Sequence, residues 1–71
     1  METINKFSTL TGRIIGVNSF GCYVQDDETG ITVFYYGNGR IGDRVFLSVY
    51  RVDTERNRVT CRLDSVLEYA A

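Results

Sequence analysis

The chain has 71 residues, room for one small core and no second lobe, since domains of roughly 60 residues bury only about 60% of the surface their unfolded chains expose. Hydrophobic residues at 44% and charged residues at 24% exclude a disordered polymer, and no apolar run approaches the roughly 20 residues that span a bilayer. Eight basic residues against nine acidic ones give a net charge of −1, which excludes nucleic-acid binding by bulk charge and leaves only local contacts, for which seven of the eight cations are arginine.

The start, Met1 to Lys6, lacks the basic and apolar regions of a signal peptide, so the expected compartment is the cytoplasm, and residues 1–8 are read as a loose arm. From Thr9 onward, β-branched and aromatic runs alternate with Gly, Asn and Asp, the pattern of a strand meander. The first strand is predicted from Thr9 to Val17. Its apolar Ile14 and Val17 stand three apart rather than two, which implies a bulge in a bent strand. Asn18-Ser19 makes a turn, and Phe20 to Gln25 is the second strand. The run Asp26-Asp27-Glu28 opens a solvated turn closed by Gly30, whose freedom at positive φ suits it. Ile31 to Tyr36 is the third strand. Three consecutive aromatics, Phe34, Tyr35 and Tyr36, cannot all face inward in a structure of period two, so one at least is exposed or covered, and extended stacking and a protein interface account for it equally well.

Gly37 to Asp43, with three glycines, is the connection to a fourth strand in which Val45, Leu47 and Val49 face a core, and Phe46 and Tyr50 lie on the outside. Exposed aromatics of this kind mark partner contacts, so Phe34, Tyr35, Tyr36, Phe46 and Tyr50 form a candidate partner surface. Thr54 to Asn57 is a hairpin turn, followed by a fifth strand with Val59, Cys61 and Leu63 on one face and Arg58, Thr60 and Arg62 on the other. Ser65 to Tyr69 is compatible with a helical turn or an extended chain, and residues 65–71 are read as a tail outside a domain of residues 9–64. The expected fold is all-β, a small five-stranded antiparallel barrel of the OB type, because a sandwich usually needs about 100 residues.

Two cysteines and no histidine cannot supply the four ligands of a Cys/His zinc site, so no metal and no cofactor is expected. Cys22 and Cys61 sit inside apolar patterns and read as buried free thiols rather than a disulfide. No nucleophile has a base or oxyanion signature beside it, and the glycines of residues 37–42 lack the Lys-Ser/Thr tail of a phosphate loop, so an enzyme is not expected.

Taken in order, Gly12-Arg13-Ile14, Phe20-Gly21-Cys22-Tyr23-Val24, Gly30-Ile31-Thr32-Val33, Gly42-Asp43-Arg44-Val45 and Asp53 to Arg58 closely resemble the S-one domain, the RNA-binding repeat of the largest small-subunit ribosomal protein. The match spans residues 11–63. The resemblance implies an OB barrel that binds single-stranded RNA through two second-strand aromatics, a residue at the end of the third strand, and an acid and a cation flanking the last hairpin. Carried onto this chain, those positions are Phe20, Tyr23, Val33, Asp53 and Arg58, with Val33 standing where the family has its RNA-contacting His. Arg44 and Arg62 are further candidate cations. Only a Gly-rich loop occupies the place of the family's longer, helix-containing connection between the third and fourth strands.

The resulting expectation is a non-catalytic module that binds single-stranded RNA weakly and with little sequence preference, Phe20 and Tyr23 stacking on bases. The competing reading for these two rings is packing beneath the N-terminal arm. The alternative function is a protein-interaction module on an OB scaffold without RNA binding, its partner a ribosomal or RNA polymerase component; no membrane contact is expected.

Overall fold

A computed structural model describes residues 8–70. The loose arm expected over residues 1–8 lies outside the described residues except for Ser8, whose carbonyl accepts a hydrogen bond from the Val49 N–H at 2.8 Å. Five strands form: β1 (Thr9–Val17), β2 (Gly21–Asp26), β3 (Thr32–Tyr36), β4 (Arg44–Asp53) and β5 (Arg58–Glu68). They close into a barrel in the order β1-β2-β3-β5-β4, an all-β OB-type arrangement.

The barrel is not wholly antiparallel. β3 and β5 run parallel, paired at Phe34 with Thr60 and Tyr35 with Cys61, while the other four neighbouring pairs are antiparallel. A closed ring with an odd number of strands cannot alternate direction all the way round, so one parallel seam is obligatory. The expected all-β, five-stranded OB-type barrel is present, and parity corrects only its wholly antiparallel description, at the β3–β5 seam.

Local chemistry accounts for the elements. The bulge foreseen between Ile14 and Val17 is present: the β1–β2 register shifts between Ile14 and Gly16, just after Ile14, which at 1% exposure ends the inward alternation of Leu10 and Gly12. Asn18 closes the next turn with its side-chain oxygen, which accepts from the Phe20 and Gly21 N–H groups at 2.8 and 3.0 Å. Asp26 does the same for the following turn. Its buried carboxylate accepts from the Thr29 hydroxyl at 2.6 Å and the Thr29 N–H at 3.2 Å, and Gly30 takes a φ of 75°.

The core is the inward half of each strand: Ile14, Cys22, Val24, Val33, Tyr35, Val45, Leu47, Val49 and Cys61. Tyr35, expected on a partner surface, is instead the largest fully buried side chain. Strand period two settles this, because β3 alternates Val33 and Tyr35 inward with Thr32, Phe34 and Tyr36 outward. A buried phenol needs a partner. The Tyr35 hydroxyl donates to the Asn38 carbonyl at 2.8 Å, tying the 37–43 loop across one end of the barrel. Gly39 fits there because a Cβ would stand 2.5 Å from both Ile14 Cδ1 and the Tyr35 hydroxyl.

The tail read over residues 65–71 is corrected as well. Ser65 to Glu68 completes β5, pairing with Arg44 to Phe46, and the Ala70 N–H donates to the buried Asp43 carboxylate at 2.6 Å. The pattern was hidden by the register shift between Phe46 and Leu47, which sets Leu63 and Val66 three residues apart instead of two.

Both thiols are free and buried. Burial pushes the Cys61 thiol up to about 12, with the Asp26 carboxylate adding to the shift, and burial likewise raises the Tyr35 phenol. A proton retained in the fold but lost by the unfolded chain makes stability fall with rising pH. The contribution of Cys61 is therefore complete below about 9 and declines between about 9 and about 12. Thermal melting should show the midpoint dropping across that window, with a smaller drop in Cys61→Ala measured against its own neutral-pH value. A midpoint flat from neutrality to the top of the window would contradict the burial of these groups.

Candidate nucleic-acid interface

The outward half of β2 and β3, the turn after β1 and the start of β5 enclose an open groove of about 800 Å³. Phe20, Tyr23, Phe34 and Tyr36 supply its aromatic wall; Asn18, Thr32, Asn57, Arg58 and Thr60 supply the polar rim. Antiparallel pairing places Tyr23 opposite Phe34 and Gly21 opposite Tyr36, so the rings fall into one row. Tyr23 and Phe34 lie 5.0 Å apart, centroid to centroid, inclined at 59°, and Phe34 meets Tyr36 edge-on at 5.0 Å and 87°. Gly21 makes this possible: a Cβ there would stand 2.8 Å from Phe34 Cζ and would collide with the Tyr35 carbonyl.

Phe20 is 75% exposed, Tyr36 65% and Tyr23 43%, while the reading in which the N-terminal arm covers Phe20 and Tyr23 lies outside the described residues. Arg58 stands on the facing strand, itself exposed, and among the described residues no hydrogen bond or ion pair engages its side chain. A row of ring faces beside an uncommitted guanidinium can stack flat apolar groups and hold an anion between them.

Of the seven residues singled out as RNA contacts, the structure brings Phe20, Tyr23 and Arg58 together. Val33 reaches the floor of the groove, but its side chain is 1% exposed in the core and offers no polar contact. The outward neighbour on that strand is Phe34, so a ring stands where a polar side chain was looked for. Asp53 does not line the groove. Its carboxylate accepts from the Arg56 N–H at 3.2 Å and shapes the hairpin turn.

Arg44 is committed elsewhere, 2.6 Å from Asp27 on the β1–β4 side of the barrel. Its guanidinium holds the Asp27 carboxyl below the usual carboxylate range, with the Thr11 hydroxyl adding to the effect. The acidic turn read as lying beside the ligand face therefore adds neither Asp26 nor Asp27 to the groove wall. Arg62 is bonded to Asp64 at 3.4 Å and lines a separate groove with Tyr36 and Tyr50. Phe46, half-buried, pairs with Thr11 and Ser65 away from both grooves.

Phe34 and Tyr36 were left open between extended stacking and a partner surface, and Asn18, Thr32, Asn57 and Thr60 were not singled out as contacts. Two signals in the sequence point to them. Thr32, Phe34 and Tyr36 share the outward parity of β3, and Asn57, in the left-handed region at φ 55°, is the turn residue that precedes Arg58.

No family profile matches the chain, and no curated protein sequence matches it. Solved structures do. The fold is similar to that of the intact alpha subunit of aIF2 from Pyrococcus abyssi, at a TM-score of 0.77 and 17% identity over 89% of this chain and 30% of that one. It is similar to GSP13 from Bacillus subtilis at a TM-score of 0.73 and 22% identity, over 86% of this chain and 56% of that one. It is also similar to a chain of the a/eIF2alpha-aDim2p-rRNA complex from Pyrococcus horikoshii, at a TM-score of 0.73 and 15% identity over 84% of this chain and 44% of that one. This chain thus spans less than two thirds of the length of each. The barrel is an S-one-like OB fold.

Proposed function

We propose that this domain is a non-catalytic, cytoplasmic module that binds single-stranded RNA with little sequence preference in the groove of Phe20, Tyr23, Phe34, Tyr36 and Arg58. The observation that carries the reading is the row of ring faces set beside an uncommitted arginine. Every base has a π-face, so a ring row binds single strands without reading their sequence, each stack contributing about 1–3 kcal/mol. Arg58 supplies a charge-assisted fork for phosphate, or a further stacking surface. The amides of Asn18 and Asn57 and the hydroxyls of Thr32 and Thr60 are the groups able to bond a ribose 2′-hydroxyl, which separates RNA from DNA. In keeping with the reading, one structure of similar fold is of a complex that contains rRNA.

A near-neutral net charge limits affinity, so binding should be visible at low salt and fall with a shallow slope as salt is added, because few phosphates are neutralised. Fluorescence anisotropy with a labelled oligouridylate tests this directly. Arg58→Gln should weaken binding and reduce the slope of log affinity against log salt by about 0.7, the value for one phosphate on a single strand. An unchanged slope would remove Arg58 from the phosphate path, and no binding at low salt would refute the reading.

A protein-docking role, with a ribosomal or polymerase component, is the second reading. It draws on Ile41 and Leu67, exposed at 63% and 50% away from the groove. A pull-down that survives nuclease treatment and is lost with Leu67→Asp would favour it over RNA.

A further inference from the structure

The aromatic row does not end at Tyr36. On its other side lies a second groove of about 540 Å³, formed where β5 meets β4 and lined by Tyr36, Ser48, Tyr50 and Arg62 above the buried Val49 and Cys61. Tyr36 belongs to both grooves, so a single ring stands between them. The strands explain the continuity. Barrel order puts β3 beside β5 and β5 beside β4, and on β5 the residues of outward parity are Arg58 and Thr60 in the first groove, then Arg62 in the second.

Two local features aim side chains into this second groove. The β4–β5 register pairs Val49 with Cys61 and Arg51 with Thr60, leaving Tyr50 between them as the extra residue of a bulge. Tyr50 keeps the outward parity of Phe46 and Ser48 and is 45% exposed beside a Val49 that is 1% exposed. Arg62 is held by its Nε, which donates to Asp64 Oδ1 at 3.4 Å, while Asp64 Oδ2 accepts the Ser48 hydroxyl across the strand pair. That grip fixes the plane of the guanidinium and leaves its two Nη groups as donors.

We infer that the second groove is a nucleotide subsite, in which an RNA strand leaving the first groove passes Tyr36, stacks a base on Tyr50 and sets a phosphate on Arg62. The inference rests on the function proposed above and extends its site from β2–β3 round to β4. The chemistry asks for nothing more than a further base and phosphate, which is why one ligand class fits both grooves.

Oligonucleotide length separates the two claims. Oligouridylates of about four and about eight nucleotides, both within the range of OB-fold site sizes, are titrated by anisotropy against wild type, Phe34→Ala, Tyr50→Ala, Tyr50→Phe and Arg62→Gln. The subsite requires Tyr50→Ala to lose about tenfold in affinity for the longer strand and nothing for the shorter one, with Tyr50→Phe restoring the loss. Arg62→Gln should lower the salt slope by about 0.7 for the longer strand alone. Unchanged affinity of Tyr50→Ala and Arg62→Gln for the longer strand, while Phe34→Ala weakens both lengths, overturns the subsite and leaves the first groove standing. Failure of wild type to bind either length overturns both. Thermal melting of Tyr50→Ala establishes that any loss is not one of folding.

Discussion

Replacing Phe20 and Tyr23 together by alanine is expected to weaken binding of single-stranded RNA by on the order of a hundredfold, with the melting temperature displaced by only a few degrees. Two stacked bases lose their platforms, and at about 1–3 kcal/mol each the loss reaches a hundredfold even if the two rings are not fully additive. Stability is spared because little is buried: Phe20 is 75% exposed, and Tyr23 is 43% exposed with one ring contact, to Phe34. The double variant thus separates the two roles an aromatic can have. A large fall in melting temperature would return these rings to the core, and unchanged affinity in a folded variant would remove the groove as the RNA site.

Tyr35 should behave in the opposite way, although it is flanked by Phe34 and Tyr36 in sequence. Tyr35→Ala removes the largest fully buried side chain, and truncating a large buried aromatic costs about 3–5 kcal/mol. Total stability for a chain of this length is only about 4–10 kcal/mol, so the variant is expected to lose cooperative thermal unfolding near physiological temperature. Tyr35→Phe keeps the ring and removes only the donor to Asn38, for a smaller loss of about 1 kcal/mol. Circular dichroism melts of the two variants, with RNA affinity measured on Tyr35→Phe, check the assignment. A cooperative melt of Tyr35→Ala at the wild-type temperature would contradict the part given to this side chain in closing the barrel end.

These variants show what the sequence carried and what it did not. Period-two patterning identified the inward residues of β4 outright, because Val45, Leu47 and Val49 alternate without interruption. The same rule, applied with Val33 inward, decides the triplet in β3 as well. The resemblance instead assigned Val33 a ligand contact by its place in a motif, and motif position says nothing about which way a side chain points. Phe20, in the turn before β2, and Tyr23 within it were picked out by residue type, and both are exposed rings.

Arg44, Arg62 and Asp53 were not separable from Arg58 by sequence. Arg44 depends on Asp27, 17 positions away, and Arg62 on the neighbouring Asp64 that the cross-strand Ser48 also binds, whereas Asp53 is taken up within its own hairpin turn by the Arg56 N–H. The second groove was illegible because it requires the β4–β5 register: alternation places Tyr50 outward, but only that register sets it in one groove with Arg62.

The parallel seam gives the barrel a weakest hoop joint. Only two residue pairs close the ring between β3 and β5, and one of them, Phe34 with Thr60, lies in the wall of the first groove. On the proposed function, a strand held between Phe34 and Arg58 would span that joint like a clasp, and the free energy of binding would be added to the cohesion of the ring. Occupancy of the groove and local opening of the joint would then be two readings of one equilibrium.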